Sequence, residues 1–158
     1  MKRLLLFTTS VCVGVCLFTI SVSAEMKKGM AFPKDWESYR HIGSLIIPDK
    51  NHALYGIHHF YMNKKGLDAF MKNQKYPDGT LIVDAVYEIK EESGILNEGK
   101  RAFFPVMKKN SRMKDTGGWE WYAFGADGKM LDKDPKKDCF SCHESMKDSD
   151  YVFSKPLN

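Results

Sequence analysis

Cysteine is scarce in this chain of 158 residues: there are four, at positions 12, 16, 139 and 142. Cys12 and Cys16 lie in an N-terminal apolar run, which leaves Cys139 and Cys142 for the folded part. A structural zinc site would need two more ligands at motif spacing, and the chain beyond residue 24 has no other cysteine. Excess charge is also small. The formal net charge of +4 falls to +2 without Lys2 and Arg3, with 22 basic and 20 acidic residues remaining. That balance argues against nucleic acid as a partner, which calls for a basic patch. Past the first 24 residues no stretch is long and apolar enough to span a membrane. Low-complexity segments and repeats of solenoid period are absent too.

The N-terminus reads as a secretory leader. Lys2-Arg3 is followed by an apolar run from Leu4 to Val22 and by Val22-Ser23-Ala24. A positive start, an apolar middle and a small-residue end are the parts of a cleavable signal peptide over 1–24. A retained anchor is the alternative. A lipoprotein signal fits less well, because Val15 precedes Cys16 where a small residue is wanted. The mature domain is expected over 25–158, exported, and in a bacterium periplasmic.

Periodicity predicts an α+β domain: a mainly antiparallel β-sheet with short flanking helices, followed by a C-terminal segment of little periodicity. Phe32 to Tyr39 suits a short helix with Pro33 in its first turn. Ile42 to Ile47 is extended. Leu54 to Met62 alternates, with His58, Phe60 and Met62 on one face and Ile57, His59 and Tyr61 on the other. Asn63 suits an N-cap for a helix from Lys64 to Asn73. Tyr76-Pro77-Asp78-Gly79 is a turn into a strand from Thr80 to Ile89. Asn97-Glu98-Gly99 suggests a second turn, into a strand from Arg101 to Lys108. Trp119 to Phe124 is the fifth strand.

The chemistry is concentrated at Cys139-Phe140-Ser141-Cys142-His143. C-x-x-C-H is the c-type haem attachment pattern. Two thiols three positions apart can each add to a vinyl group of one macrocycle. The following histidine then lies beneath the iron and presents a ring nitrogen, so His143 is the expected metal ligand. One motif means one covalent haem c. A redox disulfide is the other reading, but no thioredoxin-like βαβ pattern surrounds the pair. His41, His52, His58 and His59 can each be ordinary surface or core residues, and the stripe Trp119, Trp121 can be plain sheet core.

The surroundings of the motif resemble the cytochrome P-460 family. Asp150-Tyr151-Val152-Phe153 is similar to the D-x-V-F that follows C-x-x-C-H there. Tyr76 to Val83 resembles the family's aromatic-x-D-G-T segment, Gly118 to Phe124 its Trp-led strand, and His59 to Asn63 its aromatic strand and helix cap. The resemblance implies a mostly antiparallel β fold, a homodimer, and haem c near the C-terminus. It also implies one of two functions. Members with a lysine cross-linked to the haem oxidise hydroxylamine; relatives without it, the cytochromes c′-β, bind nitric oxide and similar ligands at a five-coordinate iron.

The lysine position matches Asp84 here, and a carboxylate cannot make that nitrogen link. Lys90 lies six residues on, about 20 Å along a strand at ~3.3 Å per residue. His58 matches a basic residue of the family's pocket, so His58 and Asp84 are both expected on the distal side. Phe60, Trp121 and Leu54 are candidate pocket walls. Asp132 and Asp134 precede C-x-x-C-H, where the oxidising members place an acidic group for proton transfer. Asp84, Asp132 and Asp134 are therefore the candidate acid–base residues. A heterodimeric branch with a distal cysteine ligand is disfavoured, since no cysteine is spare. The expectation that follows is a ligand-binding cytochrome of the c′-β kind, served by a redox partner protein. A hydroxylamine-oxidising enzyme and a six-coordinate electron carrier, with His143 trans to His58 or a methionine, are the alternatives.

Overall fold

A computed structural model describes residues 29–156, so the expected leader over 1–24 lies outside the described residues. Five strands form one antiparallel sheet in the order of the chain: β1 (Arg40–Ile47), β2 (Gly56–Met62), β3 (Leu81–Glu92), β4 (Ile95–Lys109) and β5 (Trp119–Gly125). Each strand pairs with the next in sequence; β3 and β4 meet in a two-residue hairpin, and the other connections are longer. Among the described residues the one regular helix of more than a turn, α1 (Lys64–Met71), joins β2 to β3. The N-terminal helix is reduced to one turn, Trp36–Ser38. No helix among the described residues is long and apolar enough to cross a membrane.

Strand alternation builds two different cores. On one face Trp36, Val83, Ala85, Phe104, Val106 and Phe124 pack together under Phe32, Tyr39 and Tyr61. Phe32 lies 4.8 Å from Phe104 and 5.3 Å from Phe124, ring to ring. The other face carries Met62, Phe70, Ile82, Met107, Trp119, Trp121 and Val152, with Cys139, Phe140 and Tyr151 packed against them. Helix α1 covers one part of this second face, and the C-terminal segment covers another.

Two local expectations change. The β3–β4 turn falls at Ser93-Gly94, not at Asn97-Glu98-Gly99. Both turn residues have positive φ, 53° and 77°, the backbone that suits a two-residue hairpin. Asn97 and Glu98 are paired strand residues, opposite Lys90 and Ile89. Gly99 sits where the ladder shifts register, and a Cβ there would come within 2.9 Å of the Glu88 Cβ. Asn63 does precede α1 but makes no side-chain cap. Its amide instead donates to the Gly79 carbonyl at 3.0 Å and accepts the Leu81 N–H at 3.1 Å, joining the helix start to β3.

Candidate functional site

The C-x-x-C-H residues lie on consecutive helical turns, Pro135–Phe140, Ser141–His143 and Glu144–Ser149. Asp134 starts them. Its carboxylate accepts the N–H groups of Lys136 and Lys137 at 2.9 and 3.0 Å, and Pro135 has no donor to satisfy. The Lys137 and Lys136 amides hold this carboxyl below its ordinary range. On such turns residues three apart share a side, which puts Cys139 and Cys142 together. Both thiols are free. Burial, and then the neighbouring Asp138, push the Cys139 thiol up to about 11. A thiol that stays protonated at neutral pH is not poised for disulfide exchange.

His143 is clamped between rings, 4.5 Å from Trp121 and 4.8 Å from Phe153. Its Nδ1–H donates to the Tyr151 carbonyl at 2.8 Å, which leaves the lone pair on Nε2. Burial lowers its pKa, only partly countered by that carbonyl, so the ring is kept neutral. A neutral imidazole with one nitrogen held by a carbonyl is the usual state of a metal-ligating histidine.

Along β4, Phe103 and Pro105 alternate onto the same side as Met107, which pairs with Trp121. Phe103, Pro105 and, on β2, Phe60 are half-buried, whereas Met62, Ile82 and Trp119 are fully buried. They form an apolar floor around Asp84, the cross-strand partner of Phe60.

Asp84 meets His58 there. His58 is 1% exposed. Its Nε2 lies 2.8 Å from the Leu54 carbonyl, which can only accept, so Nε2 carries a proton. Nδ1 lies 2.8 Å from Asp84 Oδ2, and this short link must hold one further proton. Burial raises the Asp84 carboxyl, an effect His58 partly offsets. Burial by itself would lower His58, but the bond to Asp84 and its charge, with the Leu54 carbonyl, outweigh it and raise the ring's pKa. The two shifts describe the same proton, held jointly to higher pH than either group alone would hold it. Asp84 Oδ1 is buried and has no hydrogen-bond partner.

A family model described as Cytochrome P460 matches residues 33–154. The chain belongs to the cytochrome P460 family. A comparison with curated proteins finds no match. Membership implies a bound haem, and the residues present fit one. Two thiols share a side, a neutral histidine offers Nε2, an apolar floor lies on the sheet, and an orphaned carboxylate oxygen sits within that floor. The cytochrome P460 motifs also acquire structural reasons. In D-G-T, Asp78 accepts both the N–H and the hydroxyl of Ser111, at 2.7 and 2.8 Å, Gly79 has φ 84°, and the buried Thr80 bonds the Pro77 carbonyl.

The candidate residues divide into groups. His58, Asp84 and Phe60 are brought together, with the His58 and Phe60 rings 6.2 Å apart. Trp121 lies against His143 rather than against that group. Leu54 contributes a carbonyl to His58. Asp132 and Asp134 are exposed, and Asp134 is engaged in capping. Lys90 is exposed, on the hairpin arm opposite Asn97. His59 faces away, in a separate chain: Ser44 Oγ is 2.7 Å from its Nδ1, Glu98 is 2.6 Å from its Nε2, and His41 reaches the same Ser44 at 2.9 Å. That chain borders a groove of about 610 Å³ lined by Leu45, Ile46, Ile57 and Leu96. Among the described residues no group of three His, Cys, Asp or Glu side chains is placed to hold a bare metal ion.

Sequence reasoning assigned no role to Lys109 and Asp150. Lys109 Nζ donates to Asp150 Oδ1 at 2.6 Å, and both side chains are 8% exposed. The only signal was the D-x-V-F pattern, which marks Asp150 but gives no partner.

Proposed function

We propose that this chain is an exported mono-haem c-type cytochrome that binds nitric oxide or a similar small ligand at a five-coordinate iron. Cys139 and Cys142 would carry the thioether links, and His143 Nε2 the proximal bond. The haem supplies an iron with one open position. The observation that carries the reading is the engagement of both His58 nitrogens, by Asp84 and by the Leu54 carbonyl. A histidine so held has no lone pair to offer an iron, which opposes a six-coordinate carrier with His58 as the sixth ligand. Phe60, Phe103 and Pro105 would give the ligand an apolar wall, and Asp84 has no nitrogen with which to cross-link a macrocycle. The chain would act as a homodimer in the periplasm, with a redox partner protein resetting the iron.

The partnerless Asp84 Oδ1 favours a second reading, oxidation of hydroxylamine. A carboxylate oxygen beside the ligand accepts a hydrogen bond, and then a proton, from an N–H or O–H group. Nitric oxide has no such hydrogen. Proteolysis of the holoprotein and weighing of the haem peptide tests the first reading. The expected mass is haem plus the Cys139–His143 peptide alone. A second peptide joined to the haem would overturn it in favour of the enzyme.

A further inference from the structure

We infer that Lys109 and Asp150 form a positioning pair for His143, acting through the Tyr151 carbonyl to set the strength of the bond between that histidine and a haem iron. The inference rests on the reading of His143 as the iron's ligand. It starts from an oddity of the backbone. Asp150 and Tyr151 are consecutive non-glycine residues in the left-handed region, with φ 50° and 67°. L-residues enter that region only when their surroundings hold them there.

Here the surroundings are identifiable. Asp150 Oδ1 accepts from Lys109 Nζ at 2.6 Å, and Oδ2 accepts the Tyr76 N–H at 2.9 Å. The Asp150 carbonyl accepts the indole N–H of Trp119 at 2.8 Å. Lys109 is itself held over the Trp119 ring, 4.8 Å from its centroid. Tyr151 N–H closes back on the Met146 carbonyl at 2.8 Å, and the Tyr151 ring packs on Gly117, where any Cβ would run into it. Val152 is then buried in the core, and Phe153 reaches the His143 ring.

The consequence is the direction of one carbonyl. With Asp150 pinned to β4, β5 and the turn before β3, the Tyr151 oxygen is delivered 2.8 Å from His143 Nδ1. An acceptor at Nδ1 fixes the tautomer and ring orientation and makes Nε2 a stronger donor to iron. Asp150 does not touch the ring. It acts through the next residue's backbone, from a buried ion pair held beside Trp119.

The test uses the intact holoprotein and two readouts that stability alone does not move: the midpoint potential and the iron–histidine stretching band of the reduced form. D150A is expected to raise the potential and to move the band to lower frequency. D150N tolerates the left-handed backbone but keeps only one of the two acceptor oxygens, so its NH2 group meets either Lys109 Nζ or the Tyr76 N–H, and it should return both only part of the way. Exposed Asp148 on the same segment is the control, and D148A should move neither. A band that stays in place in D150A overturns the inference. If D150A yields no holoprotein, exchange of the His143 Nδ1 proton in the parent protein decides: slow exchange into deuterated water supports the inference, and fast exchange overturns it. Absence of any iron–histidine band in the parent protein excludes a five-coordinate, His143-ligated iron, and this inference falls with that reading.

Discussion

Two carboxylates, Asp150 buried and Asp84 part-buried, lie against the same face of the sheet and are treated in opposite ways. Asp150 has both side-chain oxygens and its carbonyl engaged, by Lys109, Tyr76 and Trp119. Asp84 has one oxygen on His58 and one on nothing. An unpaired buried polar atom costs about 1–3 kcal/mol, and among the described residues Asp84 Oδ1 shares that state only with Arg101 Nε. Under the inference above, the Asp150 side serves to place His143. Under the proposed function, the Asp84 side would keep one acceptor for the ligand.

Five changes would break or sharpen that contrast. The largest effect belongs to the anchor: C139S/C142S should leave no haem bound to the polypeptide after acid–organic extraction, read by stained gel or mass. Next is D150A, which strands a buried lysine. Breaking such a pair typically costs about 3–5 kcal/mol, measurable by denaturant unfolding. Lys109→Met should cost a similar amount for the same reason in reverse.

D84N follows and should separate stability from ligand choice. The proton between His58 and Asp84 is held more tightly in the folded chain than in the unfolded one. Its contribution is therefore complete below about pH 6.5, the ordinary histidine value, and is lost as pH rises through the pair's raised value. Melting temperatures of the parent protein should fall across that range, and those of D84N should change less. D84N should also weaken hydroxylamine binding more than nitric oxide binding; equal weakening would show that Oδ1 does not face the ligand. The smallest effect is expected on the opposite face. Ser44→Ala cuts a hydrogen-bonded chain that is largely solvent-exposed, so it should cost less than about 1 kcal/mol and leave the haem spectrum unchanged.

What could be read in the sequence follows the same division. C-x-x-C-H is contiguous, and its spacing carries its chemistry. β3 and β5 are legible as strands because β-branched and aromatic residues run through them and place large apolar side chains on both sheet faces, as Val83 and Ile82 do. Parity separated His58 from His59, but the pairing of His58 with Asp84 needed the β2–β3 register. The turn at Ser93-Gly94 was hidden by the more turn-like Asn97-Glu98-Gly99, whose glycine serves a ladder irregularity. Lys109 and Asp150 are 41 residues apart, and nothing local links them. The acceptor on His143 is a backbone oxygen, so no residue type at position 151 could have announced it.

The central claim is an iron held by His143, free of any cross-link, and open on the side of His58 and Asp84. The optical spectrum of the reduced protein, taken before and after addition of nitric oxide, tests it most directly. The account predicts an ordinary five-coordinate, high-spin haem c spectrum that shifts when nitric oxide is added. A broad, strongly red-shifted Soret band, or a low-spin spectrum that nitric oxide leaves unchanged, would contradict it.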